Sequence, residues 1–472
     1  MLTLKDIFEI ASVSYSESYK YLNTKVSHFW IYTETLKKDS IYFHWKSGGK
    51  NDVLIDIALK KGAFVFTSDK RIILENKNPK IIYVTSVRRT IESIAKYKRN
   101  NFEGDVISIT GSVGKSSVKN MLSSLLGMNA KTLCTLGNEN TWLGTGAILC
   151  NIDAKTKYIV LENAAAGKNT LAKYISIVRP TISVLLDVNF SHQERYSDFN
   201  ELLLEKANVI NFLMPNGKLI ISEKSYSNLE EIGYSFRDDI EIIKTGYGLD
   251  NDFIINHLEI NRNKSFLDVN FKDNISRLYI PQSNMANIIN SAYAYNVFHM
   301  LGFSTKKFNA LINFYTPLPR RFERFRVCDD RGQVFELIDD SYNSSPSSMI
   351  DLLKSLSLRE TKRKILILGD MLELGEDSYK LHLEILNHEL LKQFDDIFYI
   401  GNTLSSIVDD SNHRFSNVND FISVMKGLFC SGDLVILKAS NGMNLFNIRK
   451  TVLNRAISYK KNIEWFIEDE FS

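Results

Sequence analysis

Residues 105–117 read Asp-Val-Ile-Ser-Ile-Thr-Gly-Ser-Val-Gly-Lys-Ser-Ser. The apolar run at 106–109 predicts a short buried strand, and from Lys115 onward the apolar spacing turns helical. Gly111 and Gly114 sit between the two. Strand, glycine loop and helix start, in that order, are the setting of a phosphate-binding loop. Glycines let backbone N–H groups approach phosphate oxygens, and the helix N-terminus adds a favourable dipole. Over Thr110, Gly111, Ser112, Val113, Gly114, Lys115, Ser116 and Ser117, this predicts a nucleotide cradle. Lys115 would reach the β- and γ-phosphates and the Ser116 hydroxyl would ligate Mg²⁺. The loop is short: the usual first glycine of G-x-x-x-x-G-K-[ST] falls on Ile109, so the pattern is G-x-x-G-K-S-S from Gly111. A glycine turn carrying an exposed lysine is the plainer reading of the same letters.

Similar apolar runs recur outward from this loop, at 158–163, 182–188 and 218–222. They alternate with helix-length segments, which implies a parallel sheet covered by helices on both faces. From about 250 to 280 the pattern switches to strict alternation, as in FIINHLEI and FLDVNF, and predicts an antiparallel edge. A helix is expected over 284–300. A third unit opens near 312, with strands expected at 334–340, 364–370, 396–401 and 433–440, again in doubly wound order. Before residue 105, the runs at 41–43 and 63–66 flank a loop signal at 47–52. The expectation is an α/β protein of three domains. These are a small α/β N-terminal domain (1–104), a central P-loop parallel-sheet domain (105–311) and a C-terminal Rossmann-like domain (312–472).

The chain has 472 residues, 44% hydrophobic and 24% charged, with only 7 prolines. That composition excludes a disordered, collagen-like or disulfide-stapled chain. A net charge of +3 is too small for a dedicated nucleic-acid binder. Residues 1–104 hold 18 Lys and Arg against 11 Asp and Glu, a net of +7, and the remainder is at −4. A basic first domain suits an anionic small ligand, and equally a solvated basic face. Cys134, Cys150, Cys328 and Cys430 form no CxxC pair, pointing to a reducing compartment. Asp6 and Glu9 stand where a signal peptide would be apolar, and no apolar run reaches about 18 residues. The expectation is a cytoplasmic monomer without membrane insertion.

Beyond the loop, several segments stand in a telling order. Gly137-Asn138-Glu139-Asn140 precedes Gly144; Glu162 ends a strand; His192 follows the next; Lys206 lies on a helix. Asn284 and Asn287 open another helix, and Arg320-Arg321 precede a strand. Then come Asp339-Asp340-Ser341-Tyr342-Asn343, the stretch Leu368-Gly369-Asp370-Met371-Leu372-Glu373-Leu374-Gly375, His382, and Lys438-Ala439-Ser440. This series resembles the Mur ligase family through most of 101–445, and more weakly over 1–100.

The resemblance implies an ATP-dependent amide-bond-forming ligase that works through an acyl phosphate. The implied product is D-alanyl-D-alanine joined to a UDP-N-acetylmuramoyl tripeptide. It implies two Mg²⁺ ions, one on Ser116 and Glu162, the other on His192 and a carbamylated Lys206. Lys115 and Arg321 would supply fixed positive charge at the transferring phosphoryl group. Asn284, Asn287, Asp340, Tyr342 and Asn343 would line the ATP site with Arg321. Asn138, Asn140, Lys438 and Ser440 would face the carboxylate carrier and the incoming amino acid or dipeptide. Taken singly, each has a bland reading: a strand-end Glu is usually solvated, and Lys438 could simply exit to water.

Departures from the family pattern gather on the substrate side. Tyr32-Thr33-Glu34-Thr35-Leu36-Lys37-Lys38-Asp39-Ser40 lacks the family's Asp-Ser-Arg, Ser283 replaces a His, and Thr141 replaces an Asn. They motivate an alternative, a paralogue that amidates a different carboxylate such as a polysaccharide uronic acid or a natural-product scaffold. A nucleotide-binding regulator is disfavoured, because it would not need Lys115, Ser116, Glu162, His192 and Lys206 together.

Overall fold

The computed structural model describes residues 1–45, 51–137, 139–189, 195–260, 264–281, 284–357, 359, 361–411 and 413–461. Contacts within the chain define two compact units. One comprises Met1–Gly111, Leu122–Asp187 and Asn200–Lys244; the other comprises Ser112–Met121, Val188–Phe199 and Thr245–Ser472.

The first unit contains a four-stranded parallel sheet in the order Phe29–Trp30, Ile41–His44, Phe64–Thr67, Ile81–Tyr83. Its two inner strands are buried at every position, as in a parallel sheet packed on both faces. The helix Val87–Asn100 shows how local sequence sets an element. Ser86 caps it by accepting the Arg89 N–H, and Val87, Ile91, Ile94 and Ala95 form its buried stripe. Of the loop expected at 47–52, residues up to 50 lie outside the described ones, and the helix Asn51–Lys60 starts directly after. The same unit holds five parallel strands in the order Lys131–Cys134, Thr156–Glu162, Asp105–Thr110, Ile182–Leu185, Lys218–Ser222. The first of these carries no continuous apolar run, which is why the sequence pattern passes over it.

The second unit contains an antiparallel set, Phe253–Ile260, Ser265–Phe271 and Asn274–Ile280, where the alternation predicts one. Ser265, Leu267 and Val269 point inward and their neighbours outward. The helix Met285–Met300 follows. Then comes a seven-stranded sheet in the order Arg414–Phe415, Asp396–Ile400, Arg363–Gly369, Asp433–Lys438, Val334–Asp340, Glu323–Cys328, Ser458–Lys461. The first five run parallel, Glu323–Cys328 runs antiparallel to them, and Ser458–Lys461 pairs antiparallel with Glu323–Cys328. Ile365 and Ile367 enter the core on one face, Leu366 and Leu368 the core on the other. Each such fully buried side chain is worth about 1.5–3 kcal/mol. The fold class is as predicted, an α/β protein with parallel-rich sheets. No helix among the described residues is long and apolar enough to cross a membrane.

Candidate active site

The strand Asp105–Thr110 delivers its loop at the C-terminal edge of the parallel strands, where ligands of open α/β sheets bind. Gly111 has φ +147°, and a Cβ there would come within 2.7 Å of the Leu186 Cβ, so no other residue fits. Three contacts fix the start of the loop. The Leu186 N–H donates to the Thr110 carbonyl at 3.0 Å, the Thr110 hydroxyl to the Asn163 carbonyl at 2.9 Å, and Lys206 Nζ to the Gly111 carbonyl at 2.9 Å. Further along, the Ser112 hydroxyl donates to the Asn189 carbonyl at 2.8 Å and accepts its N–H at 2.9 Å. Lys115 Nζ donates to the Ser112 carbonyl at 2.9 Å, and Gly114 turns at φ +88° before the helix Lys115–Gly127. Ser116 and Ser117 occupy its first turn, and Val113 is half-buried beside them.

Glu162 ends the neighbouring strand in register with Ile109. It is only 2% exposed. Its N–H donates to the Thr135 hydroxyl at 2.9 Å, and its Oε1 accepts the Asn140 amide at 2.9 Å. Its Oε2 is buried with no hydrogen-bond partner. Leaving such an oxygen unsatisfied costs about 1–3 kcal/mol, more for a charge. A hard divalent cation satisfies it, so Glu162 fits the Mg²⁺ role. Among the described residues no three His, Cys, Asp or Glu converge as a metal cluster.

Lys206 and Glu205 are both buried on the helix Phe199–Asn211. Glu205 caps the helix Thr170–Val178 from outside, accepting the N–H groups of Asn169 at 2.9 Å and Leu171 at 2.7 Å. That cap holds the helix carrying Lys206 in place. His192 and Asn138 lie outside the described residues. Glu139, next to Asn138, meets the Tyr32 hydroxyl. The hydrogen bond to Glu139 and burial push the Tyr32 phenol up to about 12; burial also raises the Glu139 carboxyl, with Tyr32 opposing.

In the second unit, Arg321 sits between two left-handed residues, Arg320 at φ +60° and Phe322 at φ +58°. Each such non-glycine conformation costs about 1–3 kcal/mol and persists only where the surroundings impose it. The Arg320 N–H donates to Glu323 Oε2, the Phe322 N–H to Asp340 Oδ1, both at 2.9 Å, and the Tyr342 N–H to the Arg320 carbonyl at 3.1 Å. The turn lays the Arg321 guanidinium 4.2 Å from the centre of the Tyr342 ring, a cation–π contact. Its Nε is buried without a hydrogen-bond partner. Burial pushes the nearby Tyr315 phenol up, with Arg321 opposing.

Lys438 Nζ, 3% exposed at the side chain, pairs with Asp340 Oδ2 at 2.7 Å and donates to the Asn343 carbonyl at 3.0 Å. The Ser440 hydroxyl accepts the Leu372 N–H at 2.9 Å. Two further bonds hold the stretch from Asp370. His382 Nε2 accepts the Met371 N–H at 2.9 Å, while its Nδ1 lies 2.7 Å from the Ser378 carbonyl, so the proton sits on Nδ1. Asp370 accepts the N–H groups of Thr403 and Leu404. Asn284, expected in the ATP site, caps the helix Met285–Met300 by accepting the Asn287 N–H at 2.8 Å, and both residues are buried.

A model of the Mur ligase middle domain matches residues 109–298, and one of the Mur ligase, glutamate ligase domain, matches 320–441. The chain belongs to the Mur ligase family. It is accordingly a ligase that forms C–N bonds with ATP. Among its relatives is the UDP-N-acetylmuramoyl-tripeptide–D-alanyl-D-alanine ligase of Rickettsia prowazekii. It is 25% identical over 435 residues, which cover 88% of this chain and 93% of the relative. The enzyme of the same name from Buchnera aphidicola is 28% identical over 394 residues, 80% of this chain and 82% of the relative. Similar solved structures include MurF from Acinetobacter baumannii, with a TM-score of 0.79 at 18% identity over 96% of this chain and 98% of the other. MurF from Thermotoga maritima in complex with ADP gives 0.74 at 23% identity, over 91% of this chain and 98% of the other.

Within this ligase the structure adds residues that the motifs do not single out. Thr135, Asn163 and Asn189 fasten the phosphate loop and the Glu162 strand through main-chain bonds. Short polar residues after strands were their only signal. Glu205 and Glu323 are buried carboxylates whose partners are distant in sequence, and one chain offers no sign of them.

Proposed function

We propose that this ligase joins D-alanyl-D-alanine to UDP-N-acetylmuramoyl tripeptide in peptidoglycan synthesis. The observation that carries the reading is the phosphate loop at the strand edge beside Glu162, whose second oxygen is buried without a protein partner. The relatives' names supply the substrates. In the reaction, a carrier carboxylate oxygen attacks the γ-phosphorus of ATP, giving an acyl phosphate and ADP. The dipeptide nitrogen then attacks the carbonyl carbon, phosphate leaves, and the nitrogen sheds a proton. Both partners of the first step are anions, so fixed positive charge is the main requirement. In this reading Lys115 and Arg321 supply it, and the N–H groups of Gly111–Ser117 orient the phosphates. Bound Mg²⁺ supplies charge neutralisation. Ser116 and Glu162 would hold one ion, His192 and a carbamate on Lys206 the second.

The reading places ATP against Thr110–Ser117, Asn284, Asn287, Asp340, Tyr342 and Asn343, and the two organic substrates against Asn138, Asn140, Lys438 and Ser440. It retains domain boundaries at 104 and 311, and a cytoplasmic monomer. The divergent stretch Tyr32–Ser40, with Tyr32 tied to Glu139, favours as second reading a paralogue acting on another carboxylate. The test is phosphate release from ATP and Mg²⁺ in the presence of both substrates, with mass detection of the product. Formation of the UDP-linked pentapeptide is expected. Tight ATP binding without release would move the assignment to the paralogue.

A further inference from the structure

Glu323 begins the strand Glu323–Cys328 and is 2% exposed. Its carboxylate gathers three donors. Oε2 accepts the Arg320 N–H at 2.9 Å and Arg449 at 2.5 Å, and Oε1 pairs with Lys461 at 2.6 Å. Arg449 comes from the helix Phe446–Arg455 and also reaches Asp339 Oδ2 at 3.2 Å. Lys461 ends the strand Ser458–Lys461, which pairs antiparallel with Glu323–Cys328, bringing Lys461 opposite Phe325. The last strand of the sheet therefore returns to the residue that holds one side of the Arg320–Phe322 turn. Asp340 holds the other side, through the Phe322 N–H.

A guanidinium flanked by two left-handed residues has no local preference for that conformation. Its direction is set by what grips the flanking N–H groups. The Asp340 grip lies among residues assigned to the nucleotide, whereas the Glu323 grip is made wholly by late segments of the chain. We propose that Glu323, clamped by Arg449 and Lys461, is a positioning residue that aims Arg321 at the γ-phosphate. The proposal rests on the reading of Arg321 as a γ-phosphate ligand. It makes the C-terminal strand part of the phosphoryl-transfer apparatus although none of its residues is assigned to a substrate.

The affinity ratio for ATP over ADP, measured with Mg²⁺ by titration of the full chain, reports the γ-phosphate contact and requires no carrier substrate. Arg321→Met should lower the ratio about tenfold. Glu323→Gln keeps an acceptor for the Arg320 N–H but loses the clamp. Lys461→Met changes a half-exposed side chain and spares the fold. Each should lower the ratio about three- to fivefold, and Lys461→Met should add nothing in the Arg321→Met background, since coupled residues are not additive. An unchanged ratio in Arg321→Met overturns the γ-phosphate reading and the proposal with it. A drop in Arg321→Met, with the ratio intact in both clamp variants, overturns the positioning role alone. So does an equal loss of ATP and ADP affinity in the clamp variants, the mark of a merely structural contact.

Discussion

Lys438 Nζ stands 2.7 Å from Asp340 Oδ2, while Oδ1 of the same carboxylate accepts the Phe322 N–H at 2.9 Å. The two residues face each other in register on adjacent parallel strands. An aspartate assigned to the nucleotide and a lysine assigned to the amine side thus form one charged unit, joined to the turn that carries Arg321. With side chains 3% and 17% exposed, neither charge is well solvated. Lys438→Met should destabilise the protein by about 3 kcal/mol by leaving Asp340 uncompensated, and Asp340→Asn in the same chain should recover part of the loss. Urea unfolding of the two variants checks this. A Lys438→Met loss below about 1 kcal/mol would mean the pair is not a buried counter-ion pair.

Glu162 Oε1 accepts the Asn140 amide, while Oε2 is buried without a hydrogen-bond partner and is the oxygen that the proposed function gives to Mg²⁺. Glu162→Gln keeps the shape and removes the charge. The Mg²⁺ concentration for half-maximal ATP binding should rise at least tenfold, by about 10- to 100-fold. Asn140→Ala, which frees Oε1, should produce a smaller rise. Titration of Mg²⁺ at fixed ATP separates the two.

Lys206 Nζ reaches the Gly111 carbonyl from a buried position. Lys206→Ala should abolish turnover and leave ATP binding measurable. Added short carboxylic acids should restore part of the rate by standing in for a carbamate. Full activity without any additive would rule the carbamate out.

Glu336 is buried between Arg324, at 2.7 Å, and Arg359, at 2.8 Å. Burial would raise its carboxyl, but the two guanidinium groups outweigh that and hold it below the ordinary carboxylate range. A depressed carboxyl stabilises the fold above its unfolded pKa of about 4.3, and that stability is lost as pH falls through the folded value. Glu336→Gln should therefore destabilise by about 3–5 kcal/mol at pH 7. The gap from the parent should narrow as the pH drops below about 4. Urea midpoints at pH 7 and at low pH decide it; a gap that is constant with pH would show that the charge is not what the arginines hold.

Much of the architecture is legible in the letters. The runs at 364–370 and 433–440 appear as the strands Arg363–Gly369 and Asp433–Lys438, because a strand buried on both faces must be apolar throughout. The alternation in FLDVNF appears as an antiparallel strand buried at every second residue at its start. The strands Lys131–Cys134 and Ser458–Lys461 escape the pattern. The second is exposed along its whole length and is held by pairing with Glu323–Cys328 and by Lys461, so it needs no apolar signature.

The site divides in the same way. Gly111, Gly114, Lys115 and Ser116 can be proposed from the letters because a phosphate cradle demands those residue types at fixed local spacing. Glu162 and Lys206 gain meaning only from their order after successive strands. Sequence alone determined the α/β class, the glycine loop between strand and helix, and the family, since each rests on local periodicity or on contiguous motifs. Tertiary structure alone decided that Asn140 serves Glu162, that Lys438 neutralises Asp340, and that Glu323, Arg449 and Lys461 meet at the Arg321 turn. These pairings join residues up to more than a hundred positions apart. A hydrogen bond or ion pair forms only over about 3 Å in space, and distance along the chain does not encode that proximity.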